Sequence, residues 1–198
     1  MSQWRAPSVE KGSLGRLLLG VAYLEGDFLL RSGKRSRYYL DKYLFETEPR
    51  VLRGIVFELA LMMRNELARG AVYQRLAAPE LGAVALGAGL SLELGIPFLI
   101  VRKASKDYGT AKAIEGTFAP GERVAVVEDI VTSGGAALLA IDGLRERGLV
   151  IEDLYCVVDR EEGGRQAAAA RGITLRPLFT SSELGIVSAP PDGTQIGE

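Results

Sequence analysis

One short stretch of the chain combines adjacent acids, hydroxyls and glycines directly after an apolar run. The apolar run Val124–Val127 leads into two adjacent acids, Glu128 and Asp129, and then into a loop of two hydroxyls and two glycines, residues 132–135. Successive backbone amides at a glycine-rich turn, next to the positive end of a helix, bind anions. Because carboxylates repel phosphate, the two acids fit a ligand that also carries a diol, as a ribose 5-phosphate does. The alternative is an ordinary strand–loop–helix turn with surface acids and a capping hydroxyl.

A loop farther back in the chain is strongly basic although the whole chain is nearly neutral. It sets Arg102, Lys103, Lys106 and Lys112 against a single acid, Asp107. Because like charges repel, we expect a polyanion such as diphosphate to order this loop. The alternative is a solvated surface loop, which is what most charged runs are.

A second basic segment is typical of a hairpin, because a glycine-containing turn joins two apolar triplets, residues 28–30 and 38–40. Two interpretations stay open: the hairpin lies beside a ligand, or its charges protect an exposed strand edge. Arg160, which directly follows another predicted strand, could hold a carboxylate with two hydrogen bonds or pair with a neighbouring acid. The cations of the hairpin are Arg31, Lys34, Arg35, Arg37 and Lys42.

The composition narrows the chemistry further. The chain has 198 residues, no histidine and one cysteine, Cys156. Ser–His–Asp and Cys–His catalysis, and zinc sites built on histidines or several thiolates, are therefore excluded in their usual forms. A net charge of −1 argues against nucleic-acid binding through global charge. The lone cysteine fits a reducing cytoplasm, and no apolar run is long enough for a membrane span.

The elements that must position these residues alternate after Gly70. Such alternation indicates an α/β fold with a parallel, twisted sheet flanked by helices. Ligands bind such sheets at the carboxyl ends of the strands, where Glu128, Asp129 and Arg160 are expected. Strands are predicted near residues 72–77, 97–101, 123–127, 154–158 and 174–178, and helices near 14–24, 51–67, 82–94, 136–147 and 166–171.

The string from Val124 to Ala136 resembles the phosphoribosyl diphosphate signature of type I phosphoribosyltransferases. Three further segments narrow the resemblance to orotate phosphoribosyltransferases: residues 28–39, 101–109 and 158–160, in the family's order. They are similar to the orotate-side N-terminal segment, the Arg-Lys-x-x-Lys-x-His-Gly catalytic loop, and the Asp-Arg pair whose arginine faces the orotate carboxylate.

The resemblance implies an organisation of the chain. One phosphoribosyltransferase domain would span 1–198, with a small N-terminal hood containing the hairpin in 1–45. An α/β core would occupy 70–180, and a mobile catalytic loop would occupy 104–116.

The resemblance also implies an activity, the transfer of 5-phosphoribosyl from phosphoribosyl diphosphate (PRPP) to orotate. The products would be orotidine 5′-monophosphate and diphosphate, a step of pyrimidine (UMP) biosynthesis catalysed by a glycosyltransferase of the pentosyltransferase class. Magnesium is the implied cofactor, held mainly by the substrate without direct protein ligands. A cytoplasmic homodimer is expected, with the basic loop acting across the interface and with no nucleic-acid or membrane partner.

Roles for individual residues follow from the same resemblance. Catalysis is assigned to Lys106, Asp129 and Arg102, with Lys106 neutralising the departing diphosphate. Orotate is assigned to Thr132, Arg160 and Arg31. The residues assigned to PRPP are Arg102, Lys103, Lys106, Tyr108, Glu128, Asp129, Ile130, Val131, Thr132, Ser133, Gly134, Gly135 and Ala136.

The sequence departs from the family pattern at several positions. Tyr108 stands where the family usually has histidine, Arg31 where lysine is common, and Arg37 where proline is frequent. Residues 79–82, Pro-Glu-Leu-Gly, lack the aromatic–lysine pair that many members place before the corresponding glycine. Two alternatives therefore stay open: a phosphoribosyltransferase for another base, or a PRPP-binding regulator without catalysis.

Overall fold

The computed structural model describes residues 11–29, 35–103 and 113–186. None of the helices in these three ranges is both long enough and apolar enough to cross a membrane. The helices are α1 (Lys11–Ala22), α2 (Lys42–Thr47), α3 (Pro49–Ala68), α4 (Ala83–Leu94), α5 (Gly135–Arg145) and α6 (Gly164–Ala169). The strands are β1 (Tyr23–Leu29), β2 (Arg35–Leu40), β3 (Arg75–Pro79), β4 (Phe98–Val101), β5 (Ile114–Glu115), β6 (Arg123–Val131), β7 (Val150–Asp159) and β8 (Thr174–Thr180).

The main sheet has the strand order β5-β4-β3-β6-β7-β8. All of its neighbouring pairs are parallel except β4 and β5, which are antiparallel. From β3 the chain runs outward to β4 and β5, and then returns to β6 and runs outward the other way. This reversal between β3 and β6 creates a crevice at the carboxyl ends of the two strands, where such sheets bind ligands. The predicted α/β fold is confirmed, with β1 and β2 as a separate antiparallel hairpin.

The core covers both faces of the sheet, as a parallel sheet requires. Along β6, Ala125 and Val127 belong to a buried cluster on one face, and Val124 and Val126 belong to a cluster on the other. This is the two-residue alternation of a strand. The first cluster includes residues of α1, α2, α3 and α4, and the second includes residues of α5 and α6. The carboxyl end of β6 is therefore fixed from both sides.

Local boundaries differ from the sequence prediction at several elements: β3 begins and ends later than predicted, β7 begins earlier, and β5 was not predicted. The helix predicted over 14–24 ends at Ala22, and β1 begins at Tyr23. The strand predicted over 123–127 continues to Val131, because Glu128 and Val131 still pair with Cys156 and Asp159 of β7. A short helix that was not predicted, α2, follows the hairpin. The Asp41 carboxylate caps it by accepting a hydrogen bond of 3.0 Å from the Tyr43 N–H.

Candidate active site

The two acids of the phosphate-binding string lie inside the last part of β6 rather than after its end. Glu128 is 7% exposed and Asp129 is 2% exposed, and β6 still pairs with β7 along this stretch. The Asp129 N–H donates to Oε1 of Glu128 at 3.0 Å. Asp129 Oδ1 accepts from the Ile130 N–H at 2.5 Å, and Oδ2 accepts from Lys42 Nζ at 2.5 Å. Glu128 and Asp129 are therefore a buried, hydrogen-bonded pair, which the alternative of an ordinary turn with surface acids does not describe.

The electrostatics of this pair follow from burial. Burial is the main cause that raises the pKa of the Glu128 carboxyl, and the neighbouring Asp129 charge adds to it. The hydrogen bond from the Asp129 N–H and the charge of Lys42 act in the opposite direction. A proton is therefore retained at Glu128 more readily than at an exposed glutamate, which reduces the negative charge beside the loop that follows.

Residues 132–136, which we call the anion loop, connect β6 to α5. Thr132, Ser133, Gly135 and Ala136 are exposed, and no side chain caps the helix. The N–H groups of the first turn of α5 have no partner within the helix, so they remain free to bind an anion. Gly134 has φ +81°, a conformation that a side chain would strain.

The start of α6 packs directly against the anion loop. A Cβ placed on Gly164 would lie 2.5 Å from Cγ1 of Val131 and 2.6 Å from the carbonyl oxygen of Thr132. Real Cβ atoms do not approach so closely, so only glycine fits here. The position of the anion loop thus depends on this contact as well as on β6.

Arg160 directly follows β7, as predicted, and points toward the hairpin. Its backbone N–H donates to the carbonyl of Val131 at 2.8 Å. Its Nη2 donates to the Tyr38 hydroxyl at 2.7 Å and lies 3.1 Å from Oε1 of Glu162. The Arg160 guanidinium also lies over the Tyr38 ring, 5.1 Å from its centroid. Within the described residues its Nε is buried without a hydrogen-bond partner.

Arg102 and Lys103 lie at the other side of the crevice, just after β4. The Arg102 N–H donates to the carbonyl of Ala113 at 2.8 Å, which joins the two ends of the basic loop. The Arg102 guanidinium lies 3.6 Å from carboxylate oxygens of both Glu80 and Glu115. The Lys103 N–H donates to Oε1 of Glu80 at 2.9 Å. Glu80 therefore attaches the base of the loop to the turn after β3.

The turn after β3 closes the crevice at Gly82. A Cβ on Gly82 would overlap Oδ2 of Asp129 and would lie 2.9 Å from Lys42 Nζ. Among residues 11–29, 35–103 and 113–186, no cluster of three or more acidic or cysteine side chains could hold a metal ion. The crevice thus brings together the anion loop, two buried acids and cations from two sides.

None of the known family models matches the chain. The orotate phosphoribosyltransferase of Methanocella arvoryzae is 49% identical to it over 159 residues, which is 80% of this chain and 87% of the relative. The orotate phosphoribosyltransferase of Pyrococcus abyssi is 44% identical over 176 residues, which is 88% of this chain and 94% of the relative. The chain belongs to the orotate phosphoribosyltransferase family.

A solved structure of the same family has a similar fold. The orotate phosphoribosyltransferase of Mycobacterium tuberculosis H37Rv in complex with PRPP superposes with a TM-score of 0.72 and 27% identity. The alignment covers 88% of this chain and 98% of that one. The type I phosphoribosyltransferase fold is thus confirmed, and the chain is an enzyme of the glycosyltransferase class.

In this member of the orotate phosphoribosyltransferase family, the structure places the anion loop, Arg102 and Arg160 around the crevice, together with two residues that sequence reasoning missed. Tyr38 and Lys42 had no assigned role, although each contacts an assigned residue, Arg160 and Asp129 respectively. Alternation along β2 distinguishes Tyr38, which is buried, from the exposed Tyr39, and could have identified it. Lys106, Tyr108 and Arg31 lie outside the described residues, as does the 104–112 part of the predicted loop.

Proposed function

We propose that the crevice between β3 and β6 binds PRPP and orotate and transfers the 5-phosphoribosyl group between them. The observation that carries the proposal is the exposed, uncapped start of α5, a few residues after two buried acids at the switch point of the sheet. The anion site can then receive the phosphate of a sugar phosphate, and the two carboxyl groups can accept hydrogen bonds from its sugar hydroxyls.

The anion loop holds the 5-phosphate. The hydroxyls of Thr132 and Ser133 add donors to the backbone N–H groups of Gly135 and Ala136. Glu128 and Asp129 hold the ribose hydroxyls. A carboxylate oxygen has two acceptor sites, so Asp129 can accept from a sugar hydroxyl while it keeps its present donors.

The diphosphate leaves from C1 of the ribose on the side of the basic loop. As the C1–O bond breaks, negative charge grows on the diphosphate, and a ring nitrogen of orotate forms the new bond to C1 while its N–H proton passes to the departing diphosphate. Arg102 and Lys103, at the base of the loop, and Lys106 within it neutralise that charge. Tyr108 carries no positive charge near neutral pH and contributes at most a hydrogen bond. No protein nucleophile takes part.

Orotate binds on the side of the hairpin. The Arg160 guanidinium, held over the Tyr38 ring, receives the orotate carboxylate. Thr132 and Arg31 complete the orotate contacts.

Magnesium would be held mainly by PRPP, without direct protein ligands, because its preferred ligands are oxygens of phosphates, hydroxyls and retained waters. It would reduce the charge of the diphosphate. The chain itself positions both substrates and excludes water.

The assembly and organisation of the chain are part of the same proposal. The active form is a cytoplasmic homodimer in which the basic loop of one subunit reaches the crevice of the other. The chain is one domain over 1–198, with the hood in 1–45, the core in 70–180 and the catalytic loop in 104–116.

An ultraviolet assay tests the proposal by following loss of orotate together with release of diphosphate. We expect turnover that requires orotate, PRPP and magnesium. Activity with uracil or a purine base but not with orotate would favour a phosphoribosyltransferase for another base. Binding of PRPP without turnover of any base would favour a regulator.

A further inference from the structure

Lys42 is a cation at the sugar end of the crevice that no assigned role uses. It is the first residue of α2, and its ammonium lies 2.5 Å from Oδ2 of Asp129, 87 positions away in the sequence. The Lys42 side chain is 31% exposed, whereas that of Asp129 is 3% exposed. A partly buried ion pair is screened by salt much less than one on the surface. The Lys42–Asp129 ion pair is therefore stronger than the same pair would be on the surface.

Lys42 belongs to a cluster of polar side chains that surround Gly82 on the side where a Cβ would project. Glu46 lies one turn further along α2, is 6% exposed, and has an Oε1 without a hydrogen-bond partner among the described residues. A Cβ on Gly82 would lie 2.9 Å from that Oε1 and 2.9 Å from Lys42 Nζ, and it would overlap Asp129 Oδ2. Two elements of the chain, α2 and the turn after β3, thus shape the surroundings of a single carboxylate.

The charges of the cluster need a cation. Glu46, Glu128 and Asp129 place three carboxyl groups together, and like charges so close cannot all stay ionised without a positive partner. The ammonium of Lys42 faces Asp129 directly and acts on all three. A charge-assisted hydrogen bond also fixes the direction of the carboxylate it joins.

We propose that Lys42 is a positioning residue for PRPP, because it holds the Asp129 carboxylate in the orientation that the ribose hydroxyls require. This inference rests on the proposed function, in which Asp129 binds the ribose. Lys42 does not itself touch the reacting atoms. Glu46, from the same helix, lies beside this contact, and Gly82, which has no side chain, leaves room for the arrangement.

The test compares Lys42→Met, which removes the charge, with Lys42→Arg, which keeps it. The full-length protein is assayed with magnesium, and KM is measured separately for PRPP and for orotate. We expect Lys42→Met to raise KM for PRPP by about tenfold or more, while KM for orotate changes by no more than about twofold. Lys42→Arg should recover most of the loss, which a role limited to packing does not predict.

The matched control is Lys11→Met, because Lys11 also pairs with a glutamate, Glu183, at 3.5 Å but on the surface and away from the crevice. It should leave both KM values unchanged. Thermal melting of each variant shows that it is folded, and Lys42→Gln replaces the methionine variant if that one does not fold. Equal changes in the two KM values, or no rescue by arginine, would overturn the proposal.

Calorimetric binding of magnesium–PRPP without orotate separates this inference from the proposed function. If the wild type binds PRPP but does not consume orotate, the transfer reaction is wrong, and the loss of affinity in Lys42→Met still decides the role of Lys42. A wild type that does not bind PRPP overturns both. Unchanged affinity in Lys42→Met overturns the role of Lys42 alone.

Discussion

At the scale of single residues, Arg160 shows how a side chain is held in place while it keeps donors for a ligand. A guanidinium has five N–H groups in one plane. The contacts to Tyr38 and Glu162 both use Nη2, and the ring of Tyr38 fixes the plane of the group. Because the side chain is 13% exposed, the remaining donors face a restricted space. This arrangement suits a planar carboxylate better than a spherical anion.

Arg160→Lys tests that geometry, because lysine keeps the charge but loses the planar pair of donors. We expect KM for orotate to rise by about tenfold or more, with a much smaller change in KM for PRPP. Steady-state kinetics with each substrate varied in turn provide the measurement. Arg123→Lys is the control, since Arg123 forms an exposed pair with Glu152 at 2.7 Å. Equal increases in both KM values would contradict an orotate contact.

Glu46 makes the stability of the protein depend on pH. Burial is the main cause, and the charge of Asp129 adds to it, so that the pKa of Glu46 rises from 4.5 to about 8. The charge of Asp41 also raises the pKa of Glu46, and the charge of Lys42 lowers it. Because the folded chain binds this proton more tightly than the unfolded chain, the free energy of unfolding falls as the pH rises through this range.

Glu46→Gln should remove that dependence, because glutamine does not ionise. Relative to wild type, the free energy of unfolding of the variant should increase by at least about 1 kcal/mol between pH 5 and pH 8. Urea unfolding at the two pH values measures it. The exposed Glu25→Gln serves as the control and should show the same pH dependence as wild type. A constant difference between Glu46→Gln and wild type would show that Glu46 stays ionised across this range.

At the scale of elements, the sequence predicts the strand–helix alternation well, because buried parallel strands are short apolar runs. It does not predict where β6 ends, because Glu128 and Asp129 look like surface residues until the ladder with β7 covers them. The six-residue α2 is too short for a periodic pattern, so only its cap at Asp41 marks it. The length of an element and the burial of its residues are set by neighbouring elements that are distant in sequence.

In the candidate site too, the sequence predicts local features but not the contacts between residues that are distant in sequence. The anion loop could be proposed from the sequence because its residues are contiguous and their order has a chemical meaning. The contacts that hold the site were not found, because they join residues 87 positions apart, Lys42 and Asp129, and 122 positions apart, Tyr38 and Arg160. Local patterns carry no information about such pairs.

Gly164→Ala tests whether the contact between α6 and the anion loop matters for binding. A methyl group there would meet the side chain of Val131 and the carbonyl of Thr132, so the loop must shift. We expect a loss of about 1 to 3 kcal/mol in stability and an increase of about tenfold in KM for PRPP, as for other small misplacements of a binding group.

Gly143→Ala is the matched control for that substitution, because Gly143 lies within α5 and a Cβ there meets nothing within 4 Å. It should leave KM unchanged and stabilise the helix slightly. If Gly164→Ala behaves like Gly143→Ala, the anion loop does not depend on α6.

At the scale of the whole molecule, the crevice is formed by the N-terminal hairpin and α2 together with the main sheet. Tyr38 of β2 and Phe45 of α2 belong to the same buried cluster as Ile55 of α3, Leu86 of α4 and Val127 of β6. The hairpin and α2 are therefore fixed on the core by shared apolar burial. This packing brings Tyr38 to Arg160 and Lys42 to Asp129.

The proposed action of the basic loop across a dimer interface predicts recovery of activity when two inactive variants are combined. Lys106→Ala removes a loop cation, and Asp129→Asn removes a ribose contact, so each alone should have little activity. In a mixed dimer with the loop acting on the partner, one crevice carries both changes and the other carries neither. Random pairing of equal amounts then leaves about a quarter of all crevices intact.

Co-expression of the two variants with different tags, followed by purification of the mixed dimers, provides the measurement. About half of the wild-type activity per mixed dimer is expected, because one crevice in two is intact. If the loop acts on its own subunit, each crevice of the mixed dimer carries one change and activity stays low. Dimers of two Lys106→Ala chains that carry different tags control for tags and purification. Every crevice in them lacks the loop cation, whichever subunit the loop acts on.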